Sequence, residues 1–539
     1  MNTNTKWWQK SVIYEVYPRS FKDSNGDGIG DLAGLVSKLD YIQSLGVDAI
    51  WLGPVFKSPQ DDNGYDISDY QDIDPLFGNL EDMKTLLREA NARDIRIIVD
   101  MVLNHTSDEH PWFVEAKSGR DNPKHDWYVW RDGEPGCPPN EMRSCFGGSA
   151  WEYVPELGQY YLHQYSVKQP DLNWDNPEVR QALFDMMNWW ADQGAGGFRL
   201  DVIDSVAKEP DKMITAEGTN LHKYIKEMSA AVFQGRDLVV VGECWSATPE
   251  TAKLWSNPDG SELSMVFQFE HIVLDQQPGK DKWDLAPLPM AKLKKVIAKW
   301  QQELNGKGWN SLFWENHDVP RIVSRWGNDK EYREKSAKML ATILFGLQGT
   351  PYIFQGQELG MTNACYELEE YRDIEIRNIA AERLAEGYTM ESIMESIHAK
   401  GRDNARTPMQ WNAGENAGFT TGEPWLKINP NYTEINVEAQ EADPHSVLNY
   451  YRYLVALRKR EDVFVDGDYQ EILTEREDVI AYSRDNGSRK LTVVTNFTGE
   501  TVDFPAEILE NAGEPELCNY SDWPVDGKLR PYEARMYLK

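Results

Sequence analysis

The chain alternates between short apolar runs and longer segments of helical periodicity. Eight runs rich in β-branched and aromatic residues are each followed by a stretch whose apolar positions recur every three or four residues. Eight strand–helix units predict an α/β fold, a (β/α)₈ (TIM) barrel with its active site at the carboxyl ends of the strands. The predicted strands are residues 12–17, 49–52, 96–103, 197–203, 238–243, 265–269, 310–314 and 350–354.

Two intervals are too long to be simple connections between barrel elements. Residues 105–175 are loop-rich with little helical period, which predicts a small inserted domain after strand 3. Residues 361–430 contain two helical stretches and predict a helical subdomain after strand 8. The rest divides into barrel segments 1–104 and 176–360, a last barrel helix in 431–462, and an antiparallel C-terminal β-sandwich at 463–539.

Composition narrows the range of partners. The 539 residues carry a formal charge of −32, which disfavours nucleic acid and anionic lipid as partners. No segment resembles a membrane span or a secretory leader, and the five cysteines show no metal-ligand spacing. We therefore expect a cytoplasmic monomer that acts on a small neutral or cationic ligand, without a nucleic-acid or membrane partner and without an organic cofactor.

Polar side chains with catalytic potential cluster where the predicted strands end. A single carboxylate at a strand end is most often a helix cap or an ion-pair partner. Like charges gathered on one barrel face repel each other, so a stability argument alone does not explain such a cluster. The side chains are His105 after strand 3, Arg199 and Asp201 on strand 4, Glu243 on strand 5, and His317 and Asp318 after strand 7.

Glycoside cleavage uses such a cluster. In the retaining mechanism, one carboxylate attacks the anomeric carbon while a carboxylic acid donates a proton to the leaving oxygen. Arg199 and Asp201 are two residues apart on a strand, so their side chains point to the same face. An arginine beside the attacking carboxylate favours its ionised form. The sequence thus predicts a glycoside-cleaving site on this face.

With these motifs the chain resembles glycoside hydrolase family 13, the α-amylase family. The resemblance covers nearly the whole chain. Four motifs stand in the family's order: DMVLNH at 100–105, GFRLD at 197–201, Glu243 after Val-Val-Gly, and NHD at 316–318. One such motif is weak, whereas four in order at the ends of strands 3, 4, 5 and 7 are specific.

The resemblance implies a retaining double displacement. Asp201 would be the nucleophile, Glu243 the general acid and then base, and Asp318 the third carboxylate, which binds and distorts the sugar in subsite −1. The residues that match the family's hydrogen-bonding partners of that sugar are His105, Arg199 and His317.

The resemblance also implies how the substrate's non-reducing end is held. Tyr65 matches the aromatic platform under the terminal ring, and Asp66 and Arg402 match a pair that seals this end of the site. Such a seal implies exo-action on one terminal glucose, in place of an open groove.

A second motif follows strand 1, where residues 23–31 are DSNGDGIGD. Oxygen-bearing side chains at alternate positions, with Gly at the sixth, are typical of a calcium loop, although a Gly/Asp turn has a similar composition. The oligo-1,6-glucosidase branch of the family has a similar loop with bound Ca²⁺, which implies a structural calcium site here. Its ligands would be Asp23, Asn25, Asp27, the Ile29 carbonyl and Asp31.

Val202 directly follows the expected nucleophile. A valine in a strand is by default a core residue. In this branch of the family, however, valine at this place accompanies α-1,6 linkages, whereas smaller or hydroxylated residues accompany α-1,4 linkages. We therefore expect Val202 to form a wall of subsite +1 that favours α-1,6 bonds.

Residues 242–250 resemble the dextran glucosidases of the same branch. Trp245 would stack on the +1 sugar, and Lys282 and Glu375 are candidates for hydrogen bonds to it or, equally, for ordinary solvated surface. Cys244 replaces the threonine that the resemblance leads us to expect. If it is exposed beside the general acid, the enzyme should be sensitive to thiol reagents.

The sequence therefore favours an exo-acting α-1,6-glucosidase that releases glucose from isomalto-oligosaccharides and dextran fragments. A sucrose isomerase (isomaltulose or trehalulose synthase) is the nearest alternative, but the Arg-Leu-Asp-Arg-Asp segment of those enzymes is replaced by IVLDQQ at 272–277. A broad α-1,4-glucosidase stays possible. A trehalose-6-phosphate hydrolase would need a basic +1 site, and an inactive transporter subunit would need a membrane anchor.

Overall fold

Eight parallel strands form the centre of the computed structural model, which describes residues 5–523 and 527–539. Numbered by their order in the chain, the strands lie in the sheet in the order 6-5-4-3-2-1-8-7. A parallel bridge between Val266 and Asn310 closes the barrel. All eight predicted strands are confirmed. They are β1 Ile13–Val16, β2 Ala49–Leu52, β3 Arg96–Val102, β4 Gly197–Asp201, β5 Val239–Glu243, β6 Met265–Phe267, β7 Ser311–Leu312 and β8 Thr350–Phe354.

The barrel strands are buried on both faces, which explains why they appear in the sequence as continuous apolar runs. Every residue of β1, β4 and β5 is buried, including four charged ones: Glu15, Arg199, Asp201 and Glu243. A buried charge is costly unless it is paired. The buried charged residues of these strands therefore identify a part of the barrel interior where charges must be paired with one another.

The barrel helices pack outside the strands, and their ends follow local signals. The helix Leu80–Asn91 begins after Asn79, whose side chain caps the backbone while Asp82 reciprocates, and it buries Met83, Leu86, Leu87 and Ala90 against the barrel. The other helices of the barrel layer are Leu32–Ser37, Leu39–Leu45, Pro177–Asp192, Leu221–Met228, Pro249–Trp255, Met290–Leu304, Ile322–Arg325, Arg333–Phe345 and Val447–Arg460.

The segment between β3 and β4 forms a small domain beside the mouth of the barrel. It contains the helix Pro111–Lys117 and a three-stranded antiparallel sheet of Trp130–Asp132, Gln159–Leu162 and Trp151–Val154, in that spatial order. Apolar side chains including Trp151, Tyr160 and Leu162 form a separate core in it. Its loops form one wall above the strand ends.

After β8, the helices Ile374–Ala385 and Met390–Lys400 form a subdomain that contacts the inserted domain, with their own apolar cluster around Tyr371 and Ile376. The C-terminal part is a five-stranded antiparallel sheet that packs on the barrel helix Arg333–Phe345. Its strands are, in spatial order, Asp468–Ile472, Val479–Asp485, Lys490–Asn496, Ala534–Leu538 and Glu514–Cys518.

Smaller elements complete the chain. Two strand pairs lie outside these sheets, Phe56–Lys57 with Asp69–Ile73 and Val502–Asp503 with Lys528–Leu529. The remaining α-helices are Trp7–Lys10, Val437–Ala442, Val463–Asp466 and Ala506–Asn511. Within residues 5–523 and 527–539, no helix combines the length and the apolar character that a membrane crossing needs.

Candidate active site

A pocket of about 720 Å³ opens at the carboxyl ends of the strands, between the inserted domain and the helical subdomain. The strand ends, the loops of the inserted domain and the segment after β8 all contribute side chains to its walls. The sequence-predicted residues that line it are Tyr65, His105, Asp201, Val202, Glu243, Trp245, Lys282, Asp318, Glu375 and Arg402. Arg199 and His317 lie directly behind this lining and contact it by hydrogen bonds.

Arg199 is the centre of the site's charge arrangement. Its Nη1 donates to Asp201 at 2.7 Å and to Asp100 at 2.9 Å, and its Nη2 donates to Glu243 at 2.5 Å. All four side chains are buried. Burial raises the pKa of Asp201, and the charge of Arg199 opposes that rise. One guanidinium thus connects the expected nucleophile Asp201, the expected acid Glu243 and the carboxylate of Asp100.

Glu243 is held by N–H donors on both of its oxygens. Its Oε1 accepts from the indole of Trp245 at 2.9 Å, and its Oε2 accepts from the backbone N–H of Val202 at 3.1 Å as well as from Arg199. Val202 adopts φ 35°, ψ 43°, a left-handed conformation that costs a β-branched residue about 1–3 kcal/mol. This turn ends β4 at Asp201 and directs the Val202 amide towards Glu243.

Asp318 is held among cations. Its carboxylate accepts from Arg406 at 2.5 Å and from Arg402 at 3.4 Å, and it lies 3.3 Å from Nε2 of His317. Burial alone would raise the pKa of Asp318, but these three positive groups hold it well below its usual range. The third carboxylate is therefore ionised at neutral pH and available to accept sugar hydroxyls.

The two predicted histidines carry different charges. Burial lowers the pKa of His105 to about 4, so its imidazole is neutral at pH 7. Burial acts in the same direction on His317, but the adjacent Asp318 and Glu15 outweigh it and raise the pKa of His317 to about 10. The pocket thus offers one neutral and one cationic imidazole.

The predicted pairing of Asp66 with Arg402 is wrong. Arg402 instead lies 3.3 Å from Asp62 and 2.6 Å from Asp373, and Asp62 lines the pocket. The Asp66 carboxylate accepts the backbone N–H groups of Asp61 and Asp62 at 2.8 and 3.0 Å, so it stabilises the loop that presents Asp62. Burial raises the pKa of Asp62 to about 7 against the opposing charge of Arg402.

On the +1 side, Trp245 is 48 % exposed and stacks one face on Phe269, with ring centroids 3.8 Å apart. Its remaining exposed surface lines the pocket, which agrees with the predicted platform. Lys282 and Glu375 also line the pocket and form an ion pair at 2.6 Å, so they are not ordinary solvated surface. Cys244 is fully buried, so the condition for thiol sensitivity at this residue is not met.

Sequence reasoning missed several residues that line the pocket or hold its lining in place. Asp100 begins the motif DMVLNH, Arg406 lies four residues after Arg402, and Asp62 lies three residues before Tyr65, so local signals for them existed. Others had no signal because they come from distant elements. The missed residues are Glu15 on β1, Asp62, Asp100, Tyr165 of the inserted domain, Asp204, Asp373 and Arg406.

The loop of residues 23–31 is ordered by its own side chains. Asp23 accepts the backbone N–H groups of Asn25, Gly26 and Gly28 at 2.8 Å each, and Asp31 caps the helix Leu32–Ser37. Gly28 has φ +90°, and a Cβ there would clash with the backbone of Glu423. In the described part of the chain, no three acidic, histidine or cysteine side chains converge as metal ligands.

Comparisons with known proteins agree with this geometry. Residues 15–467 match the profile described as alpha amylase, catalytic domain. The chain is 55 % identical to a glucan 1,6-alpha-glucosidase of Streptococcus pneumoniae, covering 95 % of this chain and 96 % of that protein. It is 50 % identical to an oligo-1,6-glucosidase of Parageobacillus thermoglucosidasius, covering 98 % of each.

Solved structures show the same architecture. A trehalose-6-phosphate hydrolase of Bacillus licheniformis, in complex with PNG, superposes with a TM-score of 0.95 at 46 % identity, covering 99 % of this chain and all of the other. An isomaltulose synthase of Klebsiella sp. LX3 superposes with a TM-score of 0.95 at 41 % identity, again covering 99 % of this chain and all of the other.

Proposed function

The chain belongs to the alpha-amylase family of glycoside hydrolases, and on that premise we propose that it hydrolyses α-1,6-glucosidic bonds at the non-reducing ends of isomalto-oligosaccharides and dextran fragments, releasing glucose. The observation that carries the proposal is an ion-pair cluster in the pocket wall. Arg402 lies 3.3 Å from Asp62 and 2.6 Å from Asp373, and Arg402, Asp62 and Tyr65 all line the pocket, so this cluster would bind one terminal sugar and block a longer chain. The α-1,6 linkage is supported by the two relatives named glucan 1,6-alpha-glucosidase and oligo-1,6-glucosidase.

The proposed reaction uses the groups around Arg199. Asp201 attacks the anomeric carbon, and Glu243 protonates the glycosidic oxygen, which gives a covalent glucosyl-enzyme; Glu243 then deprotonates the water that releases glucose. A single guanidinium contacts both carboxylates, in keeping with the short separation of about 5 Å that retaining enzymes use. Asp318 and the cationic His317 hold the hydroxyls of the −1 sugar.

The linkage is tested by comparing glucose release from isomaltotriose and maltotriose, with the products separated by chromatography. We expect a large ratio in favour of isomaltotriose, with glucose and isomaltose as the first products. A ratio near or below one would contradict the α-1,6 proposal and indicate an α-1,4 or broad α-glucosidase on the same site.

Val202→Thr is expected to lower the isomaltotriose-to-maltotriose ratio by about tenfold or more, because Val202 lines the pocket beside the nucleophile and one methyl or hydroxyl there is worth about 1–3 kcal/mol of discrimination. The ratio of kcat/KM values on the two trisaccharides measures it. Val206→Thr is the matched control, since this buried valine lies outside the pocket. An unchanged ratio in Val202→Thr would refute the specificity role.

Sucrose isomerisation is the second candidate, favoured by the structural similarity to an isomaltulose synthase. Ile272, Val273 and Gln276 occupy the pocket wall where those enzymes are expected to have basic residues. Incubation with sucrose decides between the two. Isomaltulose or trehalulose as the main product would replace the glucosidase proposal, whereas no reaction or hydrolysis to hexoses supports it.

A phosphorylated substrate is disfavoured because the cations that line the pocket already have carboxylate partners. Lys282, Arg325 and Lys400 all line the +1 side of the pocket, which the sequence did not reveal as a basic cluster. Each has a carboxylate partner: Lys282 pairs with Glu375 at 2.6 Å, and Arg325 and Lys400 share Asp275 at 2.5 Å. A substrate phosphate would have to compete with these carboxylates.

For the loop of residues 23–31 we propose a structural Ca²⁺ ion, supported by an all-oxygen donor set of Asp23, Asn25, Asp27, Asp31 and the Ile29 carbonyl. Several of these oxygens already accept hydrogen bonds from backbone N–H groups, so Ca²⁺ would be coordinated by their remaining lone pairs. We expect Ca²⁺ to raise the melting temperature of EDTA-treated enzyme by several degrees, with Mg²⁺ less effective. A melting temperature that changes with neither Ca²⁺ nor EDTA would contradict the proposed calcium site.

We also propose that the enzyme acts as a cytoplasmic monomer on small carbohydrates, without nucleic-acid or membrane partners and without an organic cofactor. All five cysteines are free thiols, which suits a reducing compartment. Size-exclusion chromatography with light scattering tests the oligomeric state.

A further inference from the structure

Glu15 is a buried carboxylate at the base of the pocket that no part of the proposed reaction uses. It lies on β1, is 2 % exposed, and accepts a hydrogen bond from Nδ1 of His317 at 2.6 Å and one from the His317 backbone N–H at 3.3 Å. Its neighbours on β1 are apolar or aromatic. A carboxylate is costly at such a position, and it is tolerated because His317 pairs with it.

The other ring nitrogen of His317 faces the substrate side. Nε2 lies 2.7 Å from the hydroxyl of Tyr65 and 3.3 Å from Oδ2 of Asp318. With a carboxylate on each side, both nitrogens carry a proton. The imidazole plane is also fixed by stacking between Tyr65 and Tyr17, with centroids 5.4 and 5.9 Å away.

We propose that Glu15 is a positioning residue for glycoside cleavage, which holds His317 as a fixed imidazolium whose Nε2–H faces the Tyr65 hydroxyl, Asp318 and the −1 sugar. Glu15 touches no substrate and acts through His317. The cationic ring in turn helps to keep Asp318 ionised, so that this carboxylate can accept hydroxyl hydrogen bonds. The inference rests on the proposed glucosidase function but not on its linkage preference.

The charged and titratable groups that face His317 come from several elements. Beside Glu15 on β1 they are Tyr17 just after β1, Asp318 in its own loop, Tyr65 after β2, Asp100 on β3 and Arg406, whose Nε donates to the His317 carbonyl at 2.8 Å; Arg199 on β4 acts on Glu15. Asp318 and Glu15 outweigh burial and raise the pKa of His317 to about 10. Of these groups Glu15 alone contacts Nδ1, so its removal changes the charge of His317 without altering the pocket lining.

The test is the pH dependence of kcat/KM for Glu15→Gln with α-glucosyl fluoride. Fluoride needs little protonation to leave, so loss of the general acid's proton does not mask the effect. An opposite charge at this distance shifts a pKa by about 1–3 units. The pKa of His317 should therefore fall from about 10 towards roughly 7–9. Activity of the variant should then decline as pH rises through that range, while the parent stays active up to about pH 10.

Two further variants separate positioning from mere stability. Glu15→Asp keeps a carboxylate and should restore the parental profile in part. Glu358→Gln removes another buried carboxylate of the barrel, one that is bonded to Tyr14 and Tyr41 away from the pocket, and should leave the profile unchanged. A parental pH profile in Glu15→Gln, with or without a uniform loss of rate, would overturn the proposal.

A spectroscopic readout covers the case in which Glu15→Gln does not fold. In the parent enzyme with ¹⁵N-labelled histidine, we expect both ring nitrogens of His317 to be protonated at pH 8, assigned with His317→Asn. A neutral His317 ring at that pH would overturn the proposal. If the parent fails to hydrolyse α-glucosyl fluoride at all, the glucosidase proposal fails instead, and the protonation result still decides the role of Glu15.

Discussion

Asp201→Asn is expected to reduce turnover of isomaltose and of an aryl α-glucoside by on the order of 10⁴-fold or more, as removal of a nucleophile does in other hydrolases. The amide cannot form the glucosyl-enzyme ester. The fold should be retained, because Asn is nearly isosteric and Arg199 keeps Asp100 and Glu243 as partners. Steady-state kcat and a thermal melt measure the two effects.

Asp204→Asn is the matched control for this result. Asp204 is also buried and lines the same pocket, but its carboxylate accepts from the backbone and hydroxyl of Ser246, not from Arg199. It should keep most of the activity. Mass spectrometry of the parent trapped with a slow fluorosugar should find the label on Asp201. Substantial activity in Asp201→Asn, or a label elsewhere, would refute the assignment.

Glu243→Gln should have the second-largest effect, and its size should depend on the leaving group. General acid catalysis contributes about 10²–10⁴-fold, so we expect a loss of that order on isomaltose, whose leaving group is a poor one. On α-glucosyl fluoride, the rate of the first step should decrease much less. Comparison of kcat/KM on the two substrates measures the difference.

External nucleophiles give a second readout for Glu243. Without a base to activate water, the glucosyl-enzyme of Glu243→Gln should accumulate, and added azide should speed its turnover to an α-glucosyl azide. Glu217→Gln is the control, because this carboxylate accepts from Trp255 and is not part of the pocket lining. Equal losses on both substrates, with no azide rescue, would contradict the acid–base role.

Much of the barrel could be predicted because its local signals agree with its tertiary environment. Strands covered on both faces must be apolar, so all eight were visible as runs, and the helix Leu80–Asn91 has a cap and an apolar stripe at its observed ends. Several strand ends were misplaced by one or two residues; β4, for example, stops at Asp201 because Val202 turns into the left-handed region. No composition rule predicts that conformation for a valine.

The wrong partner for Arg402 and the unmet condition at Cys244 have a common cause. Asp62 and Asp66 are equally plausible partners for Arg402 in the sequence, and the loop conformation decides between them by turning Asp66 towards its own backbone. Cys244 follows Glu243 directly, yet it points into the core while Glu243 faces the pocket. Side-chain direction at a strand end depends on the turn that follows.

The sequence by itself determined the barrel, the order of its strands and the three carboxylates at their ends, because each of these depends on residues close together in the chain. The tertiary structure alone decided the charges and partners of these groups. Glu15 meets His317 across 302 residues, and Arg402 meets Asp62 across 340. Closure of the barrel creates those contacts, and burial inside it sets the protonation of each group, so no local pattern could have shown them.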